Sequence, residues 1–71
     1  MKSLTNIQTF VRVAEVESFA RASNVLGLST SAVSKAVARL EADLGVKLFH
    51  RTTRSVSLTP DGVRFYEGCQ Q

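Results

Sequence analysis

Two short stretches of this sequence concentrate side chains able to hold a polyanion. The first is Ser29-Thr30-Ser31, followed by Ser34, Lys35 and Arg39; the second is Arg51-Thr52-Thr53-Arg54. Hydroxyls exchange hydrogen bonds with phosphate oxygens and base edges, and Lys and Arg supply charge and reach. Residues 35–54 hold five basic and two acidic side chains, a net +3 that equals the formal charge of the whole chain. Catalysis has no comparable set. Ser, His and Asp are present, but there is no G-x-S-x-G elbow, no Gly-rich phosphate loop and no paired-carboxylate pattern. A single His (His50) and a single Cys (Cys69) cannot assemble a zinc site. No metal or cofactor is expected. His50 reads as a surface residue or a phosphate contact.

The elements that position these residues follow from spacing. Ile7, Phe10, Val11 and Ala14 fall at i, i+3, i+4 and i+7, which predicts an amphipathic helix over 4–16. Ser18 is a natural cap for a second helix running to Leu26, with Phe19, Ala22 and Leu26 on its apolar side. Gly27 stops it, because glycine takes the left-handed conformation without steric cost. Leu28 is expected as a buried plug. Ser29 then caps a third helix, so the connection between helices two and three is very short, as in a helix-turn-helix. Ser18 and Ser29 sit at helix N-termini, where a phosphate also binds well.

The third helix is expected over residues 30–44. Val33, Val37, Leu40 and Leu44 form its inward stripe, and Gly45 ends it with Val46 folding back on Leu40. The opposite face shows Ser31, Ser34, Lys35, Ala38 and Ala42, with Thr30 leading and Arg39 on the flank. That face is small, hydroxyl-rich and free of acids, which suits entry into a major groove about 12 Å wide. Glu41 and Asp43 lie beyond it.

Period-two alternation in Val46-Lys47-Leu48 and Val56-Ser57-Leu58 predicts a β-hairpin with an exposed basic tip. Arg54, at the tip, suits a narrow minor groove; Arg51, beside the strand end, suits a phosphate clamp or a structural ion pair. Thr59-Pro60-Asp61 starts a last helix, with Thr as cap and Pro at its first position. The expected architecture is mostly α with a small hairpin: a winged helix-turn-helix of three core helices, a two-stranded wing and the start of a further helix.

The 71 residues make one domain near the lower limit of independent stability. The apolar fraction of 44% excludes a disordered chain. No apolar run approaches a membrane span, and the N-terminus has no apolar signal core, so the expected address is the cytoplasm.

The ordered set Ser18-Phe19-Ala20-Arg21-Ala22, Ser29 to Lys35, Arg39-Leu40-Glu41 to Leu44-Gly45, Leu48-Phe49-x-Arg51 and Leu58-Thr59-x-x-Gly62 resembles the N-terminal domain of LysR-type transcriptional regulators. The resemblance covers nearly the whole chain. It implies double-stranded DNA as partner, with helix 30–44 reading the major groove from Thr30, Ser31, Ser34 and Lys35. It implies a wing over 50–55 whose Arg54 enters the minor groove. Ser29, Arg39, Arg51 and Thr53 complete the expected DNA-binding set.

The resemblance further divides the chain into a DNA-binding domain at 1–58 and the start of a linker helix at 59–71. Through that helix two subunits pair as a homodimer. A small-molecule effector would act through a domain outside this sequence. Where many members carry Gln-Pro or Gln-Ser, this chain has Thr30-Ser31, and Thr is shorter in reach than Gln. Two readings stand for Phe65 and Tyr66, a dimer seam or folding back on the first helix. Two stand for Cys69, a bystander thiol or a redox sensor. The rival function is a helix-turn-helix protein-interaction module that binds no DNA.

Overall fold

The computed structural model describes residues 4–51 and 56–69. Its elements run α1 (Leu4–Val16), α2 (Phe19–Leu26), α3 (Thr30–Leu44), β1 (Phe49–Arg51), β2 (Val56–Leu58) and α4 (Pro60–Cys69). The three leading helices match the spacing of their apolar residues. Phe10 and Val13 of α1, Ala22 of α2, and Val33, Val37 and Leu40 of α3 are fully buried together, with Leu48 and Phe49 closing the core from the wing side.

Both glycine stops act as expected. Gly27 and Gly45 sit at φ 69° and 72°, and each donates its N–H back into the preceding helix, to Ser23 O and Glu41 O. α1 ends differently. Glu17 takes the left-handed conformation itself (φ 55°), and its N–H reaches Val13 O at 2.7 Å. Leu28 is not the expected plug: its N–H closes on Ser23 O, and its side chain is 42% exposed. Ala22 and Val33, on the helices either side of the turn, are the fully buried residues there.

The hairpin is antiparallel, pairing Phe49 with Leu58, His50 with Ser57 and Arg51 with Val56. Its first strand begins at Phe49, three residues later than the alternation over 46–48 predicted. The cause is Glu41. Its buried carboxylate accepts the N–H groups of Leu48 (2.8 Å) and Phe49 (3.4 Å), tying the segment after Gly45 to α3 before pairing begins. Val46 donates its N–H to Glu41 O at 3.3 Å and leaves its side chain exposed.

α4 starts as its sequence dictates. Thr59 Oγ1 accepts the N–H of Gly62 at 2.9 Å and donates to Lys47 O at 2.6 Å, so the cap also joins the helix to the wing. Phe65 and Tyr66 fold back on α1, with ring centroids 5.3 and 6.4 Å from that of Phe10. Phe49 and Phe19 extend the same aromatic cluster. Among the described residues no helix is long and apolar enough to cross a membrane.

Candidate nucleic-acid interface

α3 is held by its inner stripe, which leaves its outer side open. Thr30, Ser31, Lys35, Ala38, Arg39 and Ala42 are exposed and Ser34 is half-buried. The sequence-predicted face is therefore on the surface, assembled from one helix. Its leading end is fixed by capping: Ser29 Oγ accepts the N–H of Ala32 at 3.0 Å. Ser18 does the same for α2, accepting from Arg21 N–H at 3.1 Å. By helix geometry the first N–H groups of α3 lack intrahelical partners, so this end presents partial positive charge.

Arg51 arrives from β1. Its guanidinium carbon lies 4.3 Å from the centroid of the Phe19 ring, and Nη1 donates to Ser34 Oγ at 3.4 Å. The sequence offered a phosphate clamp or an ion pair. Among the described residues the ion pairs are Arg12–Glu15 and Arg64–Asp61, both exposed and both within a single helix, so Arg51 belongs to neither. A ring face attracts a guanidinium through its quadrupole without neutralising it. Arg51 thus stays cationic while α2, α3 and the wing meet at one point.

Between α3 and β1 runs a furrow of about 480 Å³, bordered by Ala38, the largely buried Glu41, Lys47, His50 and Arg51. A second concavity of about 320 Å³ continues along Ala38, Ala42 and Gly45. Ala38, Ala42 and the largely buried Glu41 of α3 form one wall, and three basic or imidazole-bearing residues stand along the other. His50 is exposed and its strand partner is Ser57. Thr53 and Arg54 lie outside the described residues.

Glu41 is the residue whose role sequence reasoning missed. It is an acid with only 7% exposure, kept buried by accepting two backbone N–H groups. The signal was present, since Glu41 lies four positions after Val37 and so next to the inward stripe. Among the described residues no group of His, Cys, Asp or Glu is placed to hold a metal.

A helix pair joined by a short glycine turn, an open recognition-type helix and a two-stranded wing define a winged helix-turn-helix. The chain belongs to the family of bacterial regulatory helix-turn-helix proteins, lysR family, whose model matches residues 4–63. It is 49% identical over 70 residues to an HTH-type transcriptional repressor of Pseudomonas aeruginosa (strain UCBPP-PA14), covering 99% of this chain and 22% of that protein. The oxidized form of Corynebacterium glutamicum OxyR superposes with a TM-score of 0.94 at 36% identity, over 99% of this chain and 22% of OxyR. A CbnR_DBD–DNA complex superposes with a TM-score of 0.92 at 34% identity, over 96% of this chain and 78% of that one. The chain spans about a fifth of the length of the curated relatives it matches.

Proposed function

We propose that this chain is the sequence-specific double-stranded-DNA-binding domain of a LysR-type transcriptional regulator and has no catalytic role. The observation that carries the reading is the open, acid-free outer face of α3, with Arg51 held cationic beside it. Thr30, Ser31, Ser34 and Lys35 read base edges in the major groove, while Ser29, Arg39 and Arg51 serve the phosphates. Arg54 reaches the minor groove, and Thr53 completes the DNA-binding set. Residues 1–58 form the DNA-binding unit, and 59–71 begin a linker helix that pairs two copies. Val63, 41% exposed on α4, supports such a seam. Two copies then occupy successive major grooves about one helical turn apart. A small-molecule effector acts through a further domain, and the site of action is the cytoplasm.

Selection of bound duplexes from a random pool tests this, followed by titration of the enriched site at rising salt. Phosphate contacts release counterions, so a dimer making about six of them loses roughly a thousandfold in affinity between about 50 and 200 mM salt. Ser34→Glu sets a carboxylate against the groove and abolishes binding. An affinity that ignores salt, or survives Ser34→Glu, refutes the proposal.

A further inference from the structure

The first residue of α3 does not meet its surroundings with a free hydroxyl. Thr30 Oγ1 lies 3.3 Å from Ser23 Oγ, across the turn between α2 and α3. Ser23 is buried, at 6% exposure, and its hydroxyl donates to Ala20 O at 2.7 Å. A serine hydroxyl has one proton and two lone pairs. A carbonyl cannot donate, so the Ser23 proton is committed to Ala20. The hydrogen between the two hydroxyls therefore comes from Thr30. The Thr30 proton is thereby committed to the turn, and its Oγ1 has only lone pairs left for an outside partner.

We infer that Thr30 meets DNA as a hydrogen-bond acceptor only, selecting the exocyclic amine of adenine or cytosine at the base beneath it and holding no phosphate. This rests on the DNA-binding reading above. In the major groove the donors are the adenine N6 and cytosine N4 amines; guanine N7 and O6, adenine N7 and thymine O4 are acceptors. Phosphate oxygens are acceptors as well. An outward-facing lone pair is thus useless toward a phosphate and discriminating toward a base. Thr30 is β-branched and has few χ1 choices, and turning its proton outward removes the donor from Ser23. Thr30 is in this way a specificity-determining residue whose polarity is set by Ser23.

The test starts from duplexes selected by the chain and by Thr30→Val, which keeps shape and removes the hydroxyl. The base whose preference differs between the two pools is the one Thr30 reads. At that base, adenine is replaced by 2-aminopurine or cytosine by 2-pyrimidinone, each lacking the major-groove amine; a neighbouring purine is separately replaced by its 7-deaza form. Loss of one hydrogen bond weakens binding of the unaltered chain by about three- to tenfold on amine removal. Thr30→Val is indifferent to that change, and 7-deaza substitution affects both proteins equally. Ser23→Ala frees the Thr30 proton and reduces the amine dependence, while the Thr30→Val arm does not depend on how that variant folds. Equal loss in both proteins on amine removal overturns the inference, as does a Thr30-dependent loss on 7-deaza substitution. Identical selected sequences for the two proteins overturn it as well. A pool with no enriched sequence overturns the DNA reading itself; an enriched site with the wrong polarity overturns only the role of Thr30.

Discussion

Gly62 sits in the first turn of α4, where ordinary helix propensity favours its replacement by alanine by up to about 1 kcal/mol. Its surroundings forbid that gain. A Cβ built there runs into the Leu48 carbonyl oxygen, and meets the Leu48 carbonyl carbon and Leu58 Cδ2 at 3.0 Å. The first two obstacles are backbone, and the Leu48 carbonyl already accepts the Thr59 N–H at 3.0 Å. Relief requires α4 to lift from the wing, which pulls Phe65 off Phe10. Overpacking of this kind costs about 1–3 kcal/mol, and rigid backbone puts it at the upper end or beyond. Net of propensity, Gly62→Ala loses about 2–3 kcal/mol. For a domain of this size that lowers the melting temperature by roughly 10–20 °C. Gly68 supplies the control, because a Cβ there meets nothing within 4 Å. Gly68→Ala is neutral or raises stability by a few tenths of a kcal/mol near the helix end. Thermal melts and urea titrations of the two variants decide the matter. If Gly62→Ala melts with or above the parent, the close approach of α4 to Leu48 is wrong.

The remaining predictions concern the residues around the furrow. Glu41→Ala strips the Leu48 and Phe49 N–H groups of their acceptor and costs about 2–4 kcal/mol, whereas Glu41→Gln keeps an acceptor oxygen and costs about 1 kcal/mol; urea titration, with amide exchange at Leu48 and Phe49, reads both, and equal costs contradict the carboxylate's role. Arg51→Lys keeps the charge but loses the planar stack on Phe19 and the fork toward Ser34. DNA affinity falls about three- to tenfold with an unchanged salt slope, and an unaltered affinity contradicts the geometry. Burial pushes the Cys69 thiol pKa above its ordinary value. The nucleophilic thiolate is then scarcer at any given pH, so Cys69 reacts with iodoacetamide at neutral pH more slowly than an unstructured cysteine; an equal or faster rate revives a redox role.

Local signals carried most of the fold. Ser18, Ser29 and Thr59 cap helices because a short side-chain oxygen at each satisfies an orphan N–H, and Gly27 and Gly45 end them because the left-handed turn needs no Cβ. The places where the sequence misleads are those decided at a distance. Nothing near Glu17 announces that a non-glycine residue will end α1 in the left-handed conformation. The alternation at Val46-Lys47-Leu48 is genuine, but Glu41, several residues upstream, claims the Leu48 N–H and postpones the strand. Leu28 has the hydropathy of a plug, yet the backbone bond to Ser23 fixes it over the turn rather than in it. The outer face of α3 was legible because it is one helix read at 100° per residue. The meeting of Arg51 with Phe19 and Ser34 joins residues up to 32 positions apart, and no periodicity encodes it.

Those long-range contacts share an electrostatic consequence. A cation that must be held in place beside a DNA-reading helix is most simply held by a carboxylate, but a carboxylate there repels the phosphates the cation is meant to attract. Arg51 is held instead by an aromatic face and a hydroxyl, neither of which carries charge. The acid on the furrow's wall, Glu41, is only 7% exposed, and its Oε2 accepts two backbone N–H groups, which offsets part of its negative charge. Asp43 stays exposed, near the far end of α3 from Thr30. The same division of labour runs through Ser23, which consumes the Thr30 proton inside the turn and leaves a defined polarity outside. Structural polar groups in this domain satisfy one another inward, and what remains on the outer surface of α3 is a cationic, acid-poor strip whose hydrogen-bonding sense is fixed at its leading residue.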